Sequence, residues 1–359
     1  VAPRVLAADP ATLVHAGVRK ESSGYGLAAW RASGDALDLI VGSEGTLAFI
    51  VGLELRLAPA QAARASLVAG FASFDEAARV ASRLADEGAN AVELLDRSFL
   101  AIAASEGDVL SLPDALEAVL IVEAAADDAV AARNAARELG SLCTKGGAVH
   151  LELALSVEEE LRVWHLRHAA SPILNRLAPR LQSMQLVEDG CVPLPRFAEY
   201  VLGVRAALDD AGFAGVIFGH AGDGHAHANA LVDITQPDWR ARAERLVGTV
   251  TALVARLGGT LAGEHGDGRL RAPLLAEVWP ASALGLFVAT KQAFDPQGIL
   301  NPGVKVAALG ARPLEDLKYD TTLAPLPAAA RATLDRIVRE KAWGRNRLEL
   351  LDASGPLPG

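Results

Sequence analysis

Cysteine is almost missing from this chain: among 359 residues only Cys143 and Cys191 occur, and they form no CxxC pair. This excludes a disulfide framework and a cysteine-ligated iron–sulfur or zinc site, and the expected compartment is the cytoplasm, or the periphery of the inner membrane. Tracts rich in Lys and Arg are lacking too, and the formal net charge is −10. Phosphate-backbone affinity rests on clustered cations, so no nucleic-acid partner is expected. No apolar run approaches the ~18 residues a membrane helix needs. Arg4, Asp9 and His15 also break up the N-terminal stretch, which removes a secretory core, so no integral membrane segment is expected.

What is present is apolar mass. Hydrophobic residues make up 51% of the chain, with charges well mixed among them, enough to bury a large core in two lobes or domains. Residues 42–57 read as a glycine turn followed by a strand or hairpin, in which Leu53, Leu55 and Leu57 alternate. From Ala65 onward, buried strands alternate with amphipathic helices. SLVAGF precedes SFDEAARVASRLADEG, where Ser73 and Glu76 form a capping box; AVLIVEAAA precedes DDAVAARNAARELG, a helix expected to stop at its glycine. AVHLELAL precedes SVEEELRVWHLRHAASPILNRL, with Ser156 and Glu159 as a second capping box. RFAEYVLGVRAALDDAG is a further helix, VIFGHAGDGHAHANALVDI is strand, glycine-rich turn and strand, and residues 239–257 form another helix. FVATKQAFDPQGILNPGVKV reads as a short helix with DP and NPG turns, and beyond Val306 one amphipathic helix is expected near 329–343. The alternation predicts an α/β or α+β lobe with helices on one face of a sheet.

Chemistry concentrates in two strings. HAGDGHAH (220–227) and GEHGDGRLR (263–271) hold four of the eight histidines, with three acidic residues among them. Imidazole and carboxylate ligate borderline divalent metals and move protons. Across a strand–turn–strand, His220 and His227 can converge on one point, and Glu264 can supply a third ligand. A polar hairpin whose histidines hydrogen-bond at the surface is the alternative that spacing leaves open. His265 follows Glu264 directly, and in extended chain the two would point to opposite faces, separating a ligand from a proton acceptor. Arg167, Arg269 and Arg271 are candidates for a substrate carboxylate, with Arg167 one helical turn before Ser171.

Taken together, RKESSGYGL with GSEGTLAFI, then HAGDGHAH, GEHGDG and FDPQGILNPGVKV, in this order, resemble the FAD-linked oxidases of the vanillyl-alcohol-oxidase superfamily. Within it the chain looks like the branch of D-lactate, D-2-hydroxyglutarate and glycolate dehydrogenases, and the resemblance covers residues 18–306. It implies an α+β chain: the C-terminal part of a PCMH-type FAD-binding domain (1–58), a ferredoxin-like α+β cap for substrate and metal (59–285), a segment returning to the flavin (286–308), and a C-terminal extension or linker (309–359). FAD would be lined by Gly42, Ser43, Glu44, Gly45, Thr46 and Asn301. A divalent metal, commonly zinc, would be held by His220, His227 and Glu264. His265 matches the catalytic base, while Arg167, Ser171 and Asn229 fall where family members contact substrate.

The implied activity is oxidation of a small D-2-hydroxy acid (lactate, glycolate or 2-hydroxyglutarate type) to the 2-oxo acid, with hydride transfer to flavin. The implied acceptor is an iron–sulfur domain or subunit, or the quinone pool. The 2-hydroxyglutarate-type enzymes place a lysine where this chain has Val187, and VEDGCVP instead resembles the long relatives fused to an iron–sulfur domain. The chain opens at Val1, without the Gly-rich pyrophosphate segment, and is expected to be an internal portion of a longer polypeptide or a split subunit that binds FAD weakly by itself. A non-catalytic fragment or subunit of such an enzyme, and a metal-dependent hydrolase, are the alternatives.

Overall fold

Nine residues whose single charge is Glu123 form one of the two most deeply buried strands, and their neighbours define the sheet. The computed structural model describes residues 1–104, 110, 112–168, 181–315, 317 and 326–340. It divides into Val1–Asp316 and Leu317–Gly359.

In the first unit, the order is β1 (Ala63–Phe71), α1 (Phe74–Leu84), β2 (Ala91–Asp96), α2 (Arg97–Ala104), β3 (Ala118–Ala126), α3 (Ala129–Lys145) and β4 (Ala148–Ala154). These strands pair antiparallel in the order β4-β1-β3-β2, the ferredoxin-like arrangement. After α4 (Val157–His168), β5 (Leu181–Met184), β6 (Gly190–Cys191) and α5 (Phe197–Asp210) come β7 (Ala214–His220) and β8 (His225–Asp233). β7 pairs with β2, and β8 with β7, β5 and β6, extending the sheet to eight strands. Helices α6 (Trp239–Leu257) and α7 (Ala281–Phe294) follow, and α8 (Ala328–Glu340) belongs to the second unit.

Helices cover both faces of the sheet rather than one. Side chains alternate along a strand, so the unbroken burial of Ala65–Phe71 needs cover on each side. Val68, Leu95, Val119 and Ile121 pack with Phe99 of α2 and with Val163 and Leu166 of α4. On the other face α3 lies against β1, β3 and β4, and α1 and α5 pack against each other and on β2 and β7.

The Ser156–Glu159 capping box forms in both directions, and Ser73 caps its helix through its own hydroxyl. Ser73 Oγ accepts the Glu76 N–H at 3.3 Å, and Glu159 Oε2 accepts the Ser156 N–H at 2.9 Å. The glycine expected to end α3 does not: Gly140 is internal, where its bare backbone faces Leu151, and the helix runs on to Lys145. The reason is the apolar stripe, which continues past Gly140 from Ala136 and Leu139 to buried Cys143. The helix expected over 156–177 is seen to His168, and its remainder lies outside the described residues.

The strand expected at 53–57 is absent. Val51, Leu53, Leu55 and Leu57 are exposed, and among the described residues no strand pairs with them. Alternation alone cannot hold an extended segment whose N–H and C=O groups have no ladder partner. Upstream of it, Val5, Leu13, Tyr25, Leu27, Leu39 and Leu47 pack on Leu275, Trp279, Leu286 and Phe287, which seats the GSEGTL turn against the segment preceding α7.

Candidate active site

The β7–β8 connection must turn within four residues, and it does so through a short 3-10 turn closed by Gly224 at φ +72. A Cβ there would come within 2.2 Å of the Val192 carbonyl oxygen, so both conformation and space require glycine. The turn leaves His220 at the end of one strand and His225, His227 and Asn229 on one face of the next. Glu264 closes the group: its Oε1 is 3.5 Å from His220 Nε2 and 3.3 Å from His227 Nε2. His225 joins them, and ligand atoms of all four lie within 4.8 Å of one another. This set of imidazoles and one carboxylate fits a borderline divalent ion. His225, the position sequence reasoning passed over, is the most buried of the four.

Second partners fix the rings. His220 Nδ1 is 2.6 Å from Glu93 Oε1, and Glu93 is its direct cross-strand neighbour on β2. His227 Nδ1 donates to the Glu188 carbonyl at 2.9 Å. Burial, with the His225 and His220 rings alongside, pushes His227 down to about 4, which leaves it neutral, with its Nε2 lone pair free, at neutral pH. Partial burial opposes the charge on Glu264, but Lys20, His220 and His225 outweigh it and hold the carboxyl at about 2. Burial likewise opposes ionisation of Glu93, and the His220 and Arg167 donors win, keeping it below its usual range.

His265 does not point away from Glu264. The segment bends through Gly266 at φ +77, and the His265 ring stacks on His227 at 5.1 Å between centroids, with Nε2 3.4 Å from Glu264 Oε1. Opposite-face separation holds only in extended chain, which this is not. The Glu188 carboxylate, 3.3 Å from Nδ1, raises the pKa of His265. Asp189 accepts the backbone N–H groups of Glu264 and His265, so the two acids of VEDG brace the whole turn.

A second cluster adjoins the first. Glu44 of GSEGTL accepts the Asp267 and Gly268 N–H groups at 2.7 and 3.0 Å, and Lys305 Nζ reaches Glu44 Oε1 at 2.8 Å and Asp267 Oδ2 at 3.2 Å. Lys305 also donates to the Ser22 carbonyl, and Asn301 Nδ2 donates to the Glu44 carbonyl at 2.7 Å. Thus SSGYG, GSEGTL, GEHGDG and NPGVKV meet at one lysine. Beside Gly42 and Gly45, both at positive φ, nothing stands within 4 Å of a would-be Cβ, while Ser43 and Thr46 are buried. Such an open-backbone turn is a fitting cradle for a flat or anionic group.

Of the substrate candidates, Arg167 donates through Nε to Glu93 Oε2 at 2.6 Å and lies 5.1 Å over the Phe218 ring, on the cluster's side of the sheet. Asn229 is buried on β8 with Oδ1 unpartnered, and Ser171 lies outside the described residues. Arg271 is committed elsewhere: it bonds Glu188 Oε2 at 2.6 Å and the Gly266 carbonyl at 2.9 Å, bracing the turn. Beside Glu93 and His220 opens a cavity of 250 Å³, also lined by Arg19, Asn90 and Asp223. Sequence reasoning missed Glu93, Glu188, Asp189, Lys20 and Lys305. VEDG and the lysine after NPG offered a local signal, whereas Glu93 sits in an ordinary strand and offered none. No helix among the described residues is long and apolar enough to cross a membrane.

Comparison with known proteins gives the family of the chain. The family described as "FAD linked oxidases, C-terminal domain" matches residues 60–304. The glycolate oxidase subunit GlcD of Bacillus subtilis is 32% identical over 280 residues, covering 77% of this chain and 58% of that protein. The D-2-hydroxyglutarate dehydrogenase of Pantoea ananatis is 30% identical over 286 residues, covering 75% of this chain and 28% of that protein. The chain therefore spans less than two thirds of the length of either relative. In fold it is similar to 4-ethylphenol oxidase from Gulosibacter chungangensis, with a TM-score of 0.54 at 13% identity over 72% of this chain and 56% of that one. It is also similar to p-cresol methylhydroxylase, with a TM-score of 0.50 at 12% identity over 70% of this chain and 54% of that one.

Proposed function

Because the chain belongs to the FAD-linked oxidases, we propose that it carries the substrate- and metal-binding part of an oxidoreductase that converts a D-2-hydroxy acid, of the glycolate, lactate or 2-hydroxyglutarate type, to the 2-oxo acid. The observation that supports this most is the meeting of His220, His227, Glu264 and His265 beside the turn that carries Glu44. In this reading residues 1–58 complete the flavin-binding domain, 59–285 form the cap, 286–308 return to the flavin, and 309–359 extend beyond it.

His220 Nε2, His227 Nε2 and a Glu264 oxygen would hold a divalent ion, and Gly42–Thr46 with Asn301 would line FAD. When bound, the flavin supplies a hydride acceptor and the ion supplies Lewis acidity toward the substrate hydroxyl. The protein's own work is placement and proton transfer. Arg167, oriented through Nε by Glu93, takes the substrate carboxylate, and Asn229 contacts the substrate from β8. His265 Nε2, on the side of Glu264, takes the hydroxyl proton, and the Glu188 carboxylate on Nδ1 stabilises the imidazolium that forms. Arg271 pairs with Glu188 and keeps that carboxylate in place.

The test is anaerobic single-turnover bleaching of the flavin band in the FAD- and metal-loaded protein, with D-lactate, glycolate and D-2-hydroxyglutarate. His265→Asn should retain both groups and slow bleaching by roughly 10²–10⁴-fold. An unchanged rate removes His265 from the proton transfer, and failure of every 2-hydroxy acid to bleach the flavin refutes the substrate class.

A further inference from the structure

His225 is fully buried, and half of its ring has no hydrogen-bond partner. Its Nε2 lies 2.9 Å from Asp189 Oδ1. Asp189 also receives the His265 N–H at 2.9 Å and the Glu264 N–H at 3.2 Å, so it acts as an ionised acceptor and Nε2 bears the ring hydrogen. With Nε2–H directed at Asp189, Nδ1 is the ring nitrogen left to offer a lone pair. Glu264 Oε2 lies 4.0 Å from that nitrogen, itself an acceptor and beyond hydrogen-bond reach. A buried lone pair facing two other imidazoles and a carboxylate calls for an electrophile, and water or a metal ion are the two that fit the space. The close passage of the Glu264 segment over the ring is itself built in: a Cβ at Gly263 would come within 2.9 Å of His225 Nε2.

We infer that His225 is a further ligand, through Nδ1, of the ion held by His220, His227 and Glu264, and that the resulting set of three imidazoles and one carboxylate selects a six-coordinate divalent ion over tetrahedral zinc. This rests on the metal reading proposed above. The donor atoms already lie within 4.8 Å of one another, a span that bonds of about 2.0–2.2 Å to one centre can close with small side-chain rotations. Asp189 behind Nε2 completes a carboxylate–histidine–metal relay, which fixes tautomer and ring orientation. Four protein donors fill a tetrahedral site, whereas a six-coordinate ion keeps two positions, the number that the hydroxyl and one carboxylate oxygen of a 2-hydroxy acid would take. With imidazole and carboxylate donors and no thiolate, manganese, iron, cobalt or nickel in the divalent state fit the set. The alternative group, Asp189 with His227 and His265, is the poorer one because Asp189 is already engaged by His225 and two backbone N–H groups.

The experiment uses metal-free protein loaded with Co²⁺ for affinity and visible spectrum, and with Cu²⁺ for electron paramagnetic resonance, which counts coordinated imidazole nitrogens. Wild type should show three nitrogens and the weak visible bands of six-coordinate Co²⁺. His225→Asn should show two nitrogens and bind Co²⁺ at least tenfold more weakly in competition with a chelator, a loss of the size ligand-supporting groups already produce. Should that variant not fold, the nitrogen count and spectrum of wild type decide alone. Two nitrogens in wild type, falling to one in His220→Asn, would overturn the role of His225 and assign its Nδ1 to water while sparing the parent site. Intense tetrahedral Co²⁺ bands would overturn the preference for six-coordination. No Co²⁺ bound by wild type would overturn the metal reading and this inference together.

Discussion

The Lys305 knot and the histidine cluster share the segment 264–268, yet their electrostatics are opposite. In the knot a buried ammonium stands between two carboxylates, Glu44 and Asp267, and also donates to the Ser22 carbonyl, so the negative charge there has a cation at its centre. In the cluster the imidazole rings and the Glu264 carboxylate face one another, and Lys20 Nζ reaches Glu264 Oε2 at 3.1 Å. Among the described residues, the three non-glycine ones with positive φ, Glu44, Asn301 and Lys305, all belong to the knot. Such conformations persist where surrounding contacts over-determine them, as the bonds to Lys305 and Asn301 do. The difference teaches a division of labour: the knot sets where the GEHGDG turn stands, and the cluster gathers imidazole and carboxylate groups around one point.

That contrast can be broken most severely at Lys305. Lys305→Met leaves Glu44 and Asp267 without their buried cation, and removing one partner of such a group costs about 3–5 kcal/mol. Denaturant unfolding should record a loss of that size; a loss below about 1 kcal/mol would mean that the knot does not hold the turn. A smaller effect, of opposite sign, should come from filling the cluster. At a divalent-ion concentration a hundredfold above Kd, unfolding free energy should rise by about 2.7 kcal/mol. Glu264→Gln should lose most of that gain while keeping wild-type stability in the absence of metal to within about 1 kcal/mol, because its carboxylate is partly exposed. An equal gain in both proteins would place the ion elsewhere. The smallest effect is expected at the edge of the knot, where Asn301→Ala removes one bond to the Glu44 carbonyl and should lower stability by about 1 kcal/mol. A change near zero in thermal unfolding would show that residue to be dispensable for the fold.

Several features are legible in the amino-acid order alone. The β7–β8 hairpin, the Ser73 and Ser156 caps and the helix over 239–257 follow from local signals, and the histidine and glycine strings draw attention to residues that do come together. His225 is visible in the same string, but nothing local distinguishes it from its neighbours. What makes it notable is Asp189, 36 residues earlier. Arg167 reads as a free guanidinium and is instead tied to Glu93, 74 residues away in a strand with no telling pattern. Leu53, Leu55 and Leu57 carry the signature of a strand, and no ladder among the described residues receives them.

By itself, the sequence determined what depends on near neighbours: which stretches coil or extend, where helices begin, where glycine must turn the chain, and which imidazoles and carboxylates are at hand. Those outcomes are local because side-chain periodicity, capping bonds and φ preferences act within a few residues. Only the tertiary structure decided which carboxylate meets which ring, which nitrogen keeps its lone pair, and which lysine lies 38 residues past Asp267 to neutralise it. Those outcomes depend on burial, which makes each unmatched charge costly and so selects partners from the whole chain rather than from the adjacent turn.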